Sequence, residues 1–162
     1  MSSFNRRSLL ACLALAGCGF TPAFGPGGAA EGLQGTIRAD DPADKNAFDL
    51  VERLEERIGR PETARFDLGY TIATAPVGVG ITPDSAITRY NLTGAVDWGL
   101  TDTTTGTRLT GGRVNSFTSY SATGSTVAGL AAEQDAALRL MRILADQIVT
   151  RLIATSGQWA QA

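Results

Sequence analysis

Apolar residues recur at a spacing of three or four positions in the first third of the chain, between residues 48 and 58. That spacing predicts an amphipathic helix, opened by Asp41-Pro42 and stopped by Gly59 and Pro61. A short strand is expected just before it, over residues 33–37. The apolar positions that define the helix are Phe48, Val51, Leu54 and Ile58.

In the middle of the chain the spacing of the apolar residues falls to two, which is typical of strands with one buried face. The alternation predicts strands over residues 66–73 and 90–100, and a weaker alternation predicts a return strand over 108–120. The polar, threonine-rich stretch 102–106 suits a hairpin turn. Residues 75–86 contain two prolines and are expected to form an irregular edge or loop.

The clearest helix lies near the end of the chain. Its apolar residues form one stripe at steps of mostly three and four, with charged residues mainly off the stripe. Ser125 is a suitable N-cap, and Gly157 is a suitable end. A helix of nearly thirty residues would be about 40 Å long. The stripe comprises Val127, Ala131, Leu138, Met141, Ala145, Ile148 and Leu152.

The predicted order of elements is β-α-β-β-β-α. A helix between the first two strands makes them parallel through a right-handed crossover, and the other strands form a meander. Both helices must bury their apolar stripes against one sheet face. We therefore expect an α+β fold, a two-layer sandwich in which a four-stranded mixed sheet carries two helices on one face. It forms a single domain over residues 32–156, followed by a C-terminal tail over 157–162.

The N-terminus has the three parts of a secretory signal. Two arginines, Arg6 and Arg7, supply positive charge, residues 9–16 are apolar, and small residues follow them. The apolar stretch is shorter than the roughly 20 residues that a membrane span requires. We therefore predict a cleaved signal peptide over residues 1–17 and an exported protein.

The small residues lead to a cysteine. Leu15-Ala16-Gly17-Cys18 resembles the lipobox of bacterial lipoproteins, in which cleavage precedes the cysteine and fatty acids are attached to it. Because two or three acyl chains anchor a protein durably in a bilayer, Cys18 is the predicted lipid attachment site. Residues 18–31, rich in glycine, proline and alanine, would be a lipidated flexible tether. The alternative is that Cys18 is only a buried cysteine of a hydrophobic helix.

Charge and cysteine content exclude several classes of protein. The formal net charge is −2, without the basic stripe expected of a nucleic-acid-binding protein. Removal of residues 1–17 would take Arg6 and Arg7 with it, leaving 12 basic residues against 16 acidic ones and a formal charge of −4. One of the two cysteines would be lost as well, so no internal disulfide is expected.

Residues that usually perform catalysis or bind metals are scarce. The chain has no histidine, which removes the commonest general base and metal ligand. Lys45, the only lysine, is expected to be a solvated surface charge. Asp40, Asp41 and Asp44 lack the spacing of a calcium loop and are expected to favour the start of the first helix. We predict no catalytic residue, no metal site and no cofactor beyond the lipid on Cys18.

Three arginines fall on the predicted sheet, namely Arg89, Arg108 and Arg113. A planar guanidinium binds phosphate and carboxylate groups through paired hydrogen bonds. These residues are therefore candidates for an anion-binding site, with Arg108 beside the 102–106 turn. The alternative is that they are solvated arginines that prevent strands from pairing edge to edge.

Several segments, taken in order, resemble one family of envelope proteins. Residues 15–25 resemble the start of LptE, the lipopolysaccharide-assembly lipoprotein, and later segments are similar to its alphaproteobacterial branch. Their order and spacing carry the resemblance. The later segments are Arg89-Tyr90-Asn91-Leu92, Asp102, Ser119-Tyr120, Ala132-Glu133-Gln134-Asp135-Ala136 and Leu144-Ala145-Asp146-Gln147-Ile148.

The resemblance implies a fold and a function. Proteins of this family have a four-stranded sheet with two helices, and they sit at the outer membrane inside the lumen of the LptD β-barrel. They plug that barrel, help it to assemble and bind lipopolysaccharide on its way to the cell surface. The implied partners are an LptD-type barrel, lipopolysaccharide and the outer membrane, with the protein lipid-anchored on the periplasmic side. Arg108, Arg113 and Arg89 would then be candidates for binding lipopolysaccharide phosphates.

The alternative function belongs to a different class. An unrelated envelope lipoprotein domain that binds a glycan or another protein would share the lipobox and the absence of catalytic residues. The acidic balance of the chain departs from the enterobacterial members and weakens the case for a lipid contact driven by charge alone.

Overall fold

The computed structural model describes residues 21–28, 30–81, 87–122 and 126–160. These residues form four strands and two helices in the order β-α-β-β-β-α, which confirms the predicted α+β class. The elements are β1 (Ile37–Ala39), α1 (Lys45–Ile58), β2 (Phe66–Ile81), β3 (Ile87–Asp102), β4 (Arg108–Ser121) and α2 (Thr126–Trp159).

The four strands lie in the sheet in chain order, β1-β2-β3-β4. β1 runs parallel to β2, as predicted for a crossover through a helix, and the other pairs are antiparallel. β1 pairs with only the first three residues of β2, from Phe66 to Leu68. From Gly69 onward, the outer edge of β2 has no strand beside it in the described part of the chain.

The sheet has one covered face and one open face. Both helices pack on the covered face, where Trp98 is buried as the alternation predicts. Tyr90 on the same face is half-buried and stacks on Tyr120, with ring centroids 5.4 Å apart. The opposite face, called the open face below, carries no described helix or strand. The buried residues of the covered face are Phe66, Leu68, Leu92, Val96, Trp98, Leu100 and Val114.

α1 begins at Lys45, where Asp44 acts as the N-cap and its Oδ1 accepts a hydrogen bond from the Ala47 amide at 2.8 Å. The predicted apolar stripe was partly wrong. Phe48 is 56% exposed, and the neighbouring stripe through Leu50 faces the core instead. Both stripes contain apolar residues at helical spacing, so periodicity alone did not separate them. The buried apolar residues are Ala47, Leu50, Leu54 and Ile58.

The strand expected over residues 33–37 lies later, at Ile37–Ala39, although Leu33 is still buried. The irregular segment expected over residues 75–86 was also wrong in its first part, because β2 continues through Pro76 to Ile81. Pro76 pairs in register with Leu92. A proline is tolerated there because β2 is an edge strand at that point.

The far part of the β2–β3 hairpin projects beyond α1. Residues 73–79 and 87–89 are exposed on both faces of the sheet, and they are called the arm below. α1 begins at Lys45, beside Thr74, and therefore leaves the rest of these residues uncovered. The chain turns onto the covered face just before it, near Tyr70, whose hydroxyl donates to the Asp40 carbonyl at 3.2 Å.

α2 has 34 residues, or about 51 Å of helix at 1.5 Å per residue. The predicted stripe is confirmed from Met141 to Leu152, but Val127 is 80% exposed. The first turns of α2 lie beside the arm end of the sheet, where α1 does not reach, so their apolar residues remain uncovered. Ser125, the expected N-cap, lies outside the described residues.

Both expected domain limits differ from the structure. α2 runs past Gly157 to Trp159, which is 3% exposed and packs edge-on against Phe66 with ring centroids 5.3 Å apart. Residues 157–159 therefore belong to the domain and not to a tail. At the other end Ala30 is fully buried and Phe24 packs against the core, so part of the expected tether wraps the domain.

Candidate functional site

Two of the three candidate arginines lie together on the open face. Arg108 pairs in register with Thr101, and Arg113 pairs with Asp97, four positions along β3. That separation corresponds to about 13 Å at the rise of a strand. Both arginines therefore lie near the end of the sheet that carries the 103–107 turn, called the turn end below.

Arg108 lies flat on a row of glycines. Gly69, Gly99 and Gly111 are register partners on β2, β3 and β4, so they form a shallow trench across three strands. A Cβ added to Gly111 would lie only 2.3 Å from the Arg108 Nη2 atom. The same Nη2 donates to the Trp98 carbonyl at 3.3 Å. The absence of side chains at Gly99 and Gly111 thus lets the guanidinium rest on the backbone, whereas Gly69 lies under the Asp40 carboxylate.

The charges at the turn end are balanced. Arg113 contacts the Asp97 carboxylate at 3.3 Å, with both side chains about 60% exposed (62% and 59%). On the other side of the trench, Arg38 contacts Asp67 at 2.9 Å. The two candidate arginines therefore stand among carboxylates. An anion would meet Arg108 most directly, because the partner that the structure gives Arg108 is a neutral carbonyl.

Arg89 lies far from the other two arginines. It is exposed and pairs in register with Ser121 at the opposite end of β4. Twelve positions of β3 separate Arg89 from Thr101, or about 40 Å along the strand. The three candidates therefore do not form one site, and Arg89 belongs to the arm.

The turn beside Arg108 is held by its own carboxylate. Asp102 accepts hydrogen bonds from the amides of Thr104 at 2.8 Å and Thr105 at 2.9 Å. The backbone hydrogen bonds from Thr105 and Thr104 lower the pKa of Asp102. Gly106 supplies the positive φ of 67° that closes the turn, as its position at the end of the polar stretch predicts.

Asp40, Asp41 and Asp44 lie near Tyr70, with Asp44 serving as a helix cap. Burial raises the pKa of Tyr70, and the charges of these three carboxylates raise it further. Within the described residues, no three acidic or cysteine side chains converge as a metal site would require. Lys45 is 67% exposed and forms a salt bridge with Asp49 at 2.9 Å.

Sequence reasoning missed the partners that shape this site. Asp97 occupies a polar-face position of the alternating strand β3, but only the strand register shows that it faces Arg113. The glycine row was also missed. Gly69 and Gly99 each occupy a polar-face position of an alternating strand, and that coincidence is the signal that could have revealed the trench.

Cys18 and residues 1–17 lie outside the described residues. Among the residues that are described, no helix is long and apolar enough to cross a membrane.

The family model LptE, described as lipopolysaccharide-assembly, matches residues 35–152, well over half of the chain. This chain belongs to the LptE family. The match includes all four strands, α1 and most of α2. The predicted family is therefore confirmed, and the alternative of a lipoprotein domain unrelated to LptE no longer stands. No curated protein matches the sequence.

Solved structures share the fold of this LptE-family chain. A putative lipoprotein from Caulobacter crescentus superimposes with a TM-score of 0.67 at 21% identity, covering 82% of this chain and 98% of that one. The rare lipoprotein B from Shewanella oneidensis gives a TM-score of 0.58 at 14% identity, covering 74% and 93%. A minor lipoprotein from Acinetobacter baumannii gives 0.53 at 16%, covering 74% and 90%. At these identities the likeness establishes the fold alone.

Proposed function

We propose that this protein is an outer-membrane lipoprotein, anchored through Cys18, that occupies the lumen of an LptD-type barrel and assists its assembly. It acts there by binding, without catalysis, in the transport of lipopolysaccharide to the cell surface. The observation that carries this proposal is the LptE family match over residues 35–152. The lipobox at residues 15–18 supports the anchor independently.

The N-terminal segment enters the sheet at the turn end of the domain. The Thr36 carbonyl accepts from the Arg65 amide at 2.9 Å, and the Thr103 amide donates to the Arg65 carbonyl at 3.1 Å. The segment that leads from Cys18 therefore reaches the sheet beside the 103–107 turn. Lipid on Cys18, 18 positions before Thr36, would tether the domain to the membrane through this segment.

The distribution of exposed apolar side chains supports an enclosed domain. Large hydrophobic residues are exposed on α1 (Phe48), on the open face (Phe117), on the arm (Val77) and on the first turn of α2 (Val127). Exposed apolar surface of this kind often marks a protein interface. A partner that surrounds the domain on several sides would cover all of these residues at once.

The anchor is tested by substitution of the cysteine. Cys18→Ala should abolish fatty-acid labelling and leave an uncleaved or unanchored precursor, because the thiol that receives the lipid is gone. Labelling with radioactive palmitate and membrane fractionation measure both effects. Cys12→Ala is the matched control and should keep the label. Persistent labelling of a mature Cys18→Ala protein would contradict the assignment.

The barrel partner is tested by co-purification. The tagged full-length protein, extracted from outer membranes in mild detergent, should bring down a barrel of several hundred residues in about equal amount. The partner is identified by mass spectrometry. Recovery of glycan or of periplasmic proteins alone would overturn the barrel proposal.

Arg108 and Arg113 are the candidates for contact with lipopolysaccharide phosphates. Hydrogen bonds to charged groups contribute roughly 1.5–3 kcal/mol each when water is excluded, but exposed pairs contribute about 0–1 kcal/mol. Both side chains are exposed in the isolated domain. A strong effect therefore requires the enclosed setting of the barrel. Loss of both arginines should weaken lipopolysaccharide binding by the barrel complex tenfold or more and leave barrel recovery unchanged.

The control must remove equal charge without disturbing the fold. Arg53 and Arg57 are unsuitable because both contact Asp146 and so join the two helices. Arg60→Ala with Arg142→Ala is a better match, since both residues are exposed and lie off the open face. Equal losses of lipopolysaccharide binding in both double variants would mean that only the net charge of the protein matters. No loss in either would leave the protein as a plug and assembly factor only.

A further inference from the structure

The two long edges of the sheet differ in how their backbone groups are satisfied. On the β4 edge, α2 supplies arginine donors. Arg151 Nη1 donates to the Arg113 carbonyl at 2.9 Å, and Arg139 Nη2 donates to the Ser119 carbonyl at 3.4 Å. Helix side chains thus occupy this edge, which is one of the ways proteins prevent further strands from adding to a sheet.

The β2 edge has no such cover. The Leu68 carbonyl points outward, because it accepts from the Asp40 amide at 3.1 Å. The Ala75 carbonyl points inward, since it accepts from the Thr93 hydroxyl at 2.9 Å. Antiparallel strands alternate these directions, so Ile72, Thr74 and Gly78 present both amide and carbonyl outward. In the described part of the chain, no backbone group meets these positions from outside.

This edge also lacks charged side chains. From Gly69 to Ile81 no residue of β2 carries a charge. Exposed edges are commonly protected by lysines, prolines or bulges, and the register irregularities of β2 fall only between Gly78 and Ile81, beyond Pro76. Pro76 is the one proline of β2, and it lacks the outward amide of its position. An incoming strand can therefore pair regularly along the stretch before Pro76, over roughly residues 70–75.

A small cavity adjoins the edge at Thr74. Its volume is about 240 Å³, enough for one side chain, and its apolar wall comes from Leu92 and Leu130. Its charged groups are Lys45, Asp49 and Glu133, which give a net charge of −1. Asp49 is already paired with Lys45 at 2.9 Å, so the exposed Glu133 carries the remaining negative charge. An apolar wall with one acidic group at its rim fits the long stem and cationic head of lysine or arginine.

We propose that the β2 edge over residues 70–75 binds an extended segment of the barrel partner as an added strand, with a basic side chain in the Thr74 cavity. In this mode of recognition the backbone ladder provides affinity and side-chain pockets provide specificity. The proposal rests on the proposed function, because the segment belongs to the LptD-type barrel. The family match does not show how the β2 edge is used, and this proposal assigns that edge to strand pairing with the barrel.

Proline substitutions test the backbone ladder. Thr74→Pro removes one outward amide that has no partner within the described chain, and should reduce co-purified barrel at least tenfold. Asn115→Pro is the matched control. It removes the equivalent outward amide from β4, between the two carbonyls that α2 occupies, and should leave recovery within twofold of wild type. Circular dichroism and thermal melts establish that both variants are folded.

Photo-crosslinking provides a second measurement that needs no proline. A photoreactive residue placed at Thr74 of the full-length protein should crosslink to the barrel, and the crosslinked peptide should contain an arginine or lysine. The same residue placed at Asn115 should give little adduct. Crosslinks at Thr74 to a second copy of this chain would overturn the inference.

The outcomes separate the inference from the function on which it rests. If the wild type recovers the barrel and both proline variants retain it, the edge inference fails and the proposed function stands. If the wild type recovers no barrel, the proposed function fails first, and the inference falls with it. Selective loss in Thr74→Pro together with a barrel adduct at Thr74 supports both.

Discussion

The turn end and the arm belong to the same strands but have opposite surroundings. At the turn end, Phe66 is 1% exposed and Trp159 is 3% exposed, and the two rings meet edge-on between β2 and the last turn of α2. In the arm, residues 73–79 are exposed on both faces of the sheet. One end of β2 is therefore part of the core, and the other end is a surface.

The difference originates in side-chain size and in where the helices begin. Near the turn end β2 and β3 supply phenylalanine, leucine and tryptophan to the covered face, whereas the covered-face positions of β2 in the arm are threonine, proline and glycine. α1 begins only at Lys45, beside Thr74, and leaves the rest of the arm uncovered. Regions with few buried contacts open most readily and are frequently used for binding. We infer that stability resides at the turn end and that the arm is free to bind.

The largest expected effect is at Trp159. Trp159→Ala should lower the free energy of unfolding by about 3–5 kcal/mol, the usual cost of truncating a large buried aromatic residue. Phe117→Ala on the open face, where the ring is 59% exposed, should cost less than about 1 kcal/mol. Urea unfolding followed by circular dichroism measures both. Similar losses in the two variants would mean that the last turn of α2 is not part of the core.

Two glycines sharpen the comparison with smaller effects of opposite sign. A Cβ at Gly94 would lie 2.8 Å from Leu140 Cδ2 beneath α2, so Gly94→Ala should destabilise the domain by about 1–3 kcal/mol through overpacking. At Gly157, inside α2, a Cβ meets nothing within 4 Å. Gly157→Ala should therefore stabilise the helix by roughly 0.5–1 kcal/mol. Thermal melts that shift in the same direction for both would contradict this packing.

The smallest expected effect concerns pH at the 103–107 turn. The folded pKa of Asp102 lies below its ordinary value because the backbone amides of Thr105 and Thr104 donate to the carboxylate. Its contribution to stability is therefore complete above the unfolded pKa of about 3.9, and it is lost as the pH falls through the folded pKa. NMR titration should place the Asp102 midpoint below 3.9. Asp102→Asn should flatten the acid side of the stability profile, and an unchanged profile would contradict the assignment.

The sequence was most informative where only one face of a strand carried side chains large enough to form a core. Large residues on β3 fixed which face is buried, and the polar stretch before Gly106 fixed the turn. Prediction failed where apolar residues occupied two adjacent stripes, as with Phe48 and Leu50 on α1. It also failed at Pro76, because whether a proline ends a strand depends on whether that strand lies at an edge. Periodicity does not contain this information.

The candidate site was predicted less completely than the fold. Arg108 and Arg113 were correctly placed on the sheet near the turn, and the strand register then brought them to one face. Arg89 was grouped with them by residue type alone, although about 40 Å of strand separates it from the turn end. The Asp97 carboxylate partly neutralises the charge of Arg113, and the two residues meet only because β3 pairs with β4. Local sequence patterns do not reveal such pairings.

The packing of α1 against α2 also determines when during synthesis the chain can fold. Leu50 and Leu54 are fully buried, and Arg53 contacts Asp146 near the far end of the sequence. The apolar faces of α1 and the sheet thus lack their cover until the ribosome has made the last helix. Long-range contacts of this kind slow folding. The growing polypeptide therefore stays open until α2 has been made, and α1, the sheet and α2 then close together as one unit.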